Sequence, residues 1–116
     1  MESASPGMVG LELVVPVLLE LVRTGELPLA RFVDALTRSP ASIVALDAPR
    51  LAEGVRAEFT LIDPEVEHVV SAASLRSKSK NSPFLDRAYR GRVELTMLGD
   101  EFAFRGAAAF ARGESR

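Results

Sequence analysis

Hydrophobic and polar positions change rhythm twice along the chain. From Gly10 to Leu46 the apolar residues keep helical spacing, and Leu11, Val14, Val15, Leu18, Leu19, Leu21 and Val22 recur at mixed intervals of three and four. A stripe this wide exceeds what a half-solvated helix needs, so much of it is expected to be buried. Pro16 donates no backbone hydrogen bond and belongs in the first turn or at a kink. Thr24-Gly25 marks the stop, since glycine takes the left-handed cap conformation. A second helix is expected from Pro28 to Arg38, with proline preset for the first turn and Leu29, Phe32, Val33 and Leu36 as the apolar face. Ser39-Pro40 restarts a short helix capped by serine, with Ile43, Val44 and Leu46 as buried candidates and Asp47-Ala48-Pro49 as its end.

The rhythm then becomes that of strands. Arg56 to Ile62 roughly alternates β-branched and aromatic residues with polar ones, and Asp63-Pro64 predicts a stop. Glu67 to Val70 predicts a second, short strand. Lys, Ser, Asn and Pro dominate Ser77 to Pro83, which reads as a loop. Gly91 to Phe104 predicts a hairpin, with Arg92–Leu98 and Glu101–Phe104 flanking a tight turn at Gly99-Asp100. The tail from Gly106 to Arg116 has no core pattern and is expected to fray. Three or four strands make at most half a sandwich, while the first helix demands a large partner surface. The pattern therefore predicts elements that pack on further protein surface.

Composition narrows the chemistry more than the fold. The 116 residues suit one modest domain or part of a larger one, and 47% apolar with 26% charged residues is ordinary for a globular chain. A formal charge of −2 gives no general pull toward nucleic acid or acidic membrane. Absence of cysteine excludes a disulfide framework and a thiolate metal site, and fits a cytoplasmic protein. Met1-Glu2-Ser3-Ala4 carries an acid where a secretory signal would be basic, and the apolar run Leu13–Val22 is interrupted by Glu20 and too short to span a bilayer. The single histidine, His68, reads as a strand-end surface residue, Asp63 as a strand terminator, and Glu65 with Glu67 as a solvated strand face. Arg76, Lys78 and Lys80 form a basic loop able to hold an anion, and read first as a solvated or docking edge. Aromatic residues are not interleaved with that cluster, which argues against single-stranded nucleic acid.

The order of segments resembles one family. Ser5-Pro6-Gly7-Met8-Val9-Gly10-Leu11-Glu12 is similar to the A-P-x-G-x-x-G-L-E that follows the last barrel strand of dihydroorotases, and Val15-Pro16-Val17-Leu18-Leu19 to the A-L-P-L-L of their final barrel helix. Ser39-Pro40-Ala41 resembles N-P-A, and Leu51–Gly54 with Ala57–Pro64 resembles I-x-x-G-x-x-A-D-L-V-L-F-D-P, a pattern shared with hydantoinases and allantoinases. Ser77-Lys78-Ser79-Lys80-Asn81-Ser82-Pro83-Phe84 resembles S-K-x-x-N-S/T-P-F, and Arg90-Gly91-Arg92-Val93 resembles x-G-R-V. This loop together with P-G-x-x-G-L-E narrows the resemblance to dihydroorotase, of the amidohydrolase superfamily. Departures are Ser39 for asparagine, Glu58-Phe59-Thr60 for D-L-V, and Asp100-Glu101 in the hairpin where the family prefers G-x-x-V.

The resemblance implies an α/β fold: the C-terminal fragment of a (β/α)8 amidohydrolase barrel, contributing its last helices, plus the C-terminal strands of a small β-sandwich. It divides the chain into a terminal barrel loop and helices (1–48), sandwich strands (49–105) and a disordered tail (106–116). It implies interconversion of N-carbamoyl-aspartate and dihydroorotate in pyrimidine biosynthesis. It also implies a zinc site in the complete family member, where the metal activates water and polarises the amide carbonyl. The family's H-x-H pair is absent here, and its D-H-A-P-H segment would fall before Met1, so this chain is expected to hold no metal ligand, no cofactor and no catalytic residue of its own. What carries over is substrate contact by the backbone of Pro6 and Gly7, set against their being a plain turn near the chain end. Three roles follow: a segment inactive alone, a non-catalytic scaffold for aspartate carbamoyltransferase, or a partner of a separate half that carries the metal.

Overall fold

In the computed structural model the described residues are 7–47 and 50–106. The expected cap at Ala48-Pro49, the N-terminal tetrapeptide, Pro6 and the tail from 107 onward lie outside them. Three helices precede a three-stranded antiparallel sheet of order β1-β2-β3. A 3₁₀ turn at Leu11–Leu13 leads into α1 (Val14–Arg23), followed by α2 (Leu29–Leu36), α3 (Arg38–Ile43), β1 (Glu58–Val70), β2 (Arg87–Leu98) and β3 (Glu101–Arg105).

Helix α1 forms where the apolar run allows it. Pro16 occupies the first turn, where its missing N–H costs nothing, and is itself buried. Thr24 closes the helix with its N–H on the Glu20 carbonyl. Pro28 precedes α2 in extended conformation, one position earlier than expected. Ser39 does not cap α3. Thr37 takes that place without a side-chain bond, and the Ser39 hydroxyl donates to Asp34 Oδ2 at 2.8 Å, tying α3 back to α2.

The sheet corrects the strand reading. Asp63-Pro64 does not end a strand, and Glu67–Val70 is not a separate one: β1 runs unbroken for 13 residues. Its pairing with β2 jumps from Asp63↔Arg92 to Glu67↔Arg90, so three residues of β1 bow out against Gly91 alone. Proline is tolerated there because a bulge on an edge strand needs no ladder donor. The Asp63 carboxylate accepts from Glu65 N at 2.9 Å and turns the chain locally, which is the stop signal the sequence carries. A second irregularity places Glu94 of β2 as the extra residue between the pairs Leu61↔Leu95 and Ile62↔Val93. The hairpin closes as expected, with Leu98 paired to Glu101 around Gly99-Asp100, although β2 starts four residues before Gly91, at Arg87.

Helix α1 lands on β2 at the bulge. Leu19 is buried there against Gly91, and the Arg23 guanidinium donates to the carbonyls of Pro64 at 3.1 Å and Arg90 at 3.3 Å. The core proper lies at the other end of α1. Leu13, Val70, Leu75 and Tyr89 are buried together, with Val9, Val17, Phe84 and Leu85 packed around them. Away from this centre the apolar pattern is not covered. Within the stripe read from the sequence only Leu19 is fully buried, and Leu11 is exposed. Of the α2 face only Phe32 is buried, and the expected burial of Ile43, Val44 and Leu46 does not occur: they are 83%, 62% and 67% exposed. Helical spacing identified the right face, but α2 and α3 have no second layer above it among the described residues.

Candidate functional site

The segments that carry the resemblance meet in space. Residues 7–13, entering α1, lie beside residues 75–85, which connect β1 to β2, and four hydrogen bonds join the two. Val9 N donates to the Asn81 carbonyl at 2.8 Å, and the Asn81 side-chain amide donates to the Gly7 carbonyl. The Glu12 carboxylate accepts from the backbone of Arg76 and of Ser77, each at 2.9 Å. One carboxylate that takes both N–H groups of a turn holds it at two points, and ionisation strengthens each bond. Those two N–H donors, with lesser help from Lys80 and Arg76, keep the Glu12 carboxyl below its usual range. Beneath this clasp lie Leu13 and Leu75, both core residues.

Local chemistry shapes the connecting loop. Ser71 and Ser74 form a reciprocal capping box around the short 3₁₀ turn at Ala72–Ser74, which ends β1 sharply. Lys80 turns inward and donates to the Leu75 carbonyl at 2.6 Å, and the Arg76 guanidinium lies 5.2 Å from the centre of the Phe104 ring. Arg76 and Lys80 are thus engaged in fixing the loop, and Lys78, exposed like both of them, lies between them. Gly7 adopts φ +74°, and a Cβ placed there would meet nothing within 4 Å among the described residues.

The other residues singled out by sequence are dispersed. His68 sits within β1, paired with Tyr89, not at a strand end. It is half-buried, and its Nδ1 has no hydrogen-bond partner among the described residues. It lines an apolar cavity of about 400 Å³ with Leu13, Pro16, Val70, Arg92 and Phe104. Glu65 and Glu67 flank Arg90, which pairs with Glu67 through a short side-chain hydrogen bond and with Glu65 at 3.9 Å. That bond holds the Glu67 carboxyl below its ordinary range and the Arg90 guanidinium above its own. Glu65, Glu67 and Arg90 form a solvated ion cluster. The buried Glu94 is held by Arg92, with Nε at 2.8 Å from Oε1. Among the described residues no three of His, Asp or Glu come together to hold a metal ion, so those residues by themselves do not make a zinc centre.

Sequence reasoning placed Gly7 correctly in the loop before α1 but missed Asn81 and Glu12 as its supports. Both stand inside motifs that were legible, yet they lie more than sixty residues from their partners, and nothing in periodicity links positions so far apart.

By shape this is a helical segment closed on a three-stranded antiparallel sheet, with a glycine-containing loop held open at the junction. No protein-family model matches the chain. Curated proteins do. The chain is similar to the dihydroorotase of a Sulfurihydrogenibium species, 35% identical over 105 residues, which are 90% of this chain and 25% of that protein. It is 42% identical to a Geobacter dihydroorotase over 98 residues (84% of this chain, 23% of the relative) and 38% identical to a Wolbachia dihydroorotase over 104 residues (90% and 24%). By sequence the chain fits a segment of a dihydroorotase, spanning about a quarter of the length of the curated relatives it matches. Among the described residues no helix is long and apolar enough to cross a membrane.

Proposed function

We propose that the chain supplies the C-terminal part of a dihydroorotase: the last barrel helices, the substrate loop at Pro6-Gly7 and the closing strands of a small β-sandwich. In this reading it acts in the cytoplasm on the cyclic amide of dihydroorotate, or in reverse on N-carbamoyl-aspartate, and contributes no metal ligand. Zinc, held by the rest of the enzyme, supplies the activated water and polarises the carbonyl. This chain's residues position substrate and close the structure. The observation that carries the reading is a conjunction. Relatives of one printed function match 84–90% of the chain, and the loop at Gly7 is held in place by Asn81.

The test is complementation. The chain is mixed with a Geobacter dihydroorotase from which the matched stretch has been deleted, and loss of dihydroorotate is followed with zinc present. Turnover is expected only with both polypeptides together, and the chain alone is expected to take up no stoichiometric zinc after dialysis. Hydrolysis by the chain alone, a tight one-to-one zinc, or an inert mixture would each refute the proposal. A second reading is favoured by the uncovered apolar side chains of α2 and α3: a non-catalytic scaffold for aspartate carbamoyltransferase. Co-elution with that enzyme, together with an inert complementation mixture, is its signature.

A further inference from the structure

We propose that Asn81 is a positioning residue for the Gly7 loop and that Glu12 is its counterpart on the other segment of the same clasp. The inference rests on the functional reading above and adds residues that reading does not use. Asn81 holds the loop by two different groups: its side-chain amide donates to the Gly7 carbonyl, and its own carbonyl accepts from Val9 N at 2.8 Å. A trans peptide unit is planar, so fixing the Gly7 carbonyl also fixes the Met8 N–H, which lies in the same plane and points the opposite way. The orientation of the backbone at Gly7 and Met8 is therefore set from residue 81. Without that restraint a glycine explores both signs of φ about equally, and φ +74° would be one of several conformations.

Glu12 closes the circuit. Its two bonds to Arg76 N and Ser77 N hold the start of the connecting loop, while Asn81 sits towards its end. Val9, Phe84 and Leu85 pack on the core formed by Leu13, Val70, Leu75 and Tyr89, which anchors both sides of the clasp. The loop is thus held by rigid neighbours rather than by its own sequence, the arrangement a binding backbone needs for a fixed geometry.

The experiment uses the full chain and the complementation mixture described above. In the unaltered chain the Asn81 carboxamide protons and the Val9 amide are expected to exchange slowly, and exchange of the carboxamide at the free-solvent rate overturns the clasp without recourse to any variant. In Asn81→Ala and Asn81→Asp the Val9 amide is expected to exchange about tenfold faster, the effect of one lost hydrogen bond, with the amides of the β2–β3 hairpin unchanged. Aspartate keeps the shape but not the donor, so it should fail as alanine does. In complementation both variants are expected to raise KM about tenfold and leave kcat within about twofold, because the Gly7 backbone that Asn81 orders binds substrate rather than reacting with it. Turnover by the unaltered mixture with KM unchanged in both variants overturns the positioning role alone. An inert unaltered mixture overturns the functional reading beneath it, and the exchange data still decide whether the clasp exists.

Discussion

Gly91→Ala is the most informative single change in this fold. Gly91 adopts φ +107°, a conformation side chains rarely take, and it faces α1 where β1 bows away. A Cβ built there lies 2.3 Å from Leu19 Cδ1 and 3.6 Å from the Pro64 carbonyl oxygen. Two costs follow. A residue with a Cβ held in such a backbone conformation loses about 1–3 kcal/mol. Overpacking of a buried contact adds about 1–3 kcal/mol, since Leu19 is itself buried and Arg23 pins the helix to Pro64 and Arg90 beside it. The total of about 2–6 kcal/mol is a large share of the 5–15 kcal/mol that typically separates folded from unfolded chains. Urea unfolding followed by far-ultraviolet circular dichroism measures it. The two costs separate in a double-mutant cycle with Leu19→Ala, which removes the colliding methyl. In that background Gly91→Ala should cost only the backbone part, leaving a coupling of about 1–3 kcal/mol. A Gly91→Ala chain within about 0.5 kcal/mol of the parent, or a cycle with no coupling, would refute the claim that α1 docks through this glycine.

The same reasoning gives a milder result elsewhere. At Gly99, φ +71° lies in the left-handed region, and an added Cβ meets only the Arg56 guanidinium at 2.8 Å, which can move aside. Gly99→Ala should therefore cost about 1 kcal/mol and Gly99→Asn less, seen as a small fall in Tm; equal loss at Gly99 and Gly91 would show that steric contact is not what distinguishes them. Glu12→Gln should weaken the fold by about 1 kcal/mol at neutral pH, after discounting charge-assisted bonding for an exposed group. The folded carboxyl is held below its unfolded value, so its contribution is present above that value of 4.5 and is lost as pH falls through the lower, folded one. Glu67 loses its Arg90 bond in the same acid range, so the difference between parent and Glu12→Gln is the quantity to follow. That difference should shrink as pH drops below 4.5 in urea midpoints, and a gap constant down to strongly acid pH would mean Glu12 is not ionised in the clasp.

What the sequence made legible was local. The helix at Val14–Arg23 and the Gly99-Asp100 hairpin were readable because their signals, Pro16 in a first turn and a glycine turn between alternating strands, act within a few residues. The break at Asp63-Pro64 was misread for the same reason. Locally it is a stop, and only pairing with β2 across Gly91 converts it to a bulge inside one strand. Burial of Ile43, Val44 and Leu46 was misjudged because periodicity reports which face is apolar, not whether anything covers it. At the candidate site the sequence marked Gly7 through a motif, but its supports at Glu12 and Asn81 depend on tertiary proximity.

The distribution of burial links these points to function. The core of Leu13, Val70, Leu75 and Tyr89 sits under the clasp, so apolar burial is concentrated where the Gly7 loop must be held still. Farther along the chain, Leu29, Val33, Leu36, Ile43, Val44 and Leu46 project from α2 and α3 with half or more of several side chains in water. Each such residue forgoes a share, set by its exposure, of the about 1.5–3 kcal/mol that full burial would give. Helix α2 is joined to the rest chiefly through Phe32 and the turn after α1, so its unclaimed burial energy does little for the clasp and the sheet. Under the proposed reading, that surface is where a complementing polypeptide would bind. Binding there would stabilise α2 and α3 by covering them and would leave the Gly7 loop, already fixed by Asn81 and Glu12, in the geometry it has alone. Assembly and substrate positioning would then be separable: substitutions on the α2–α3 face should alter the concentration of partner needed for half-maximal turnover, and substitutions in the clasp should alter KM at saturating partner.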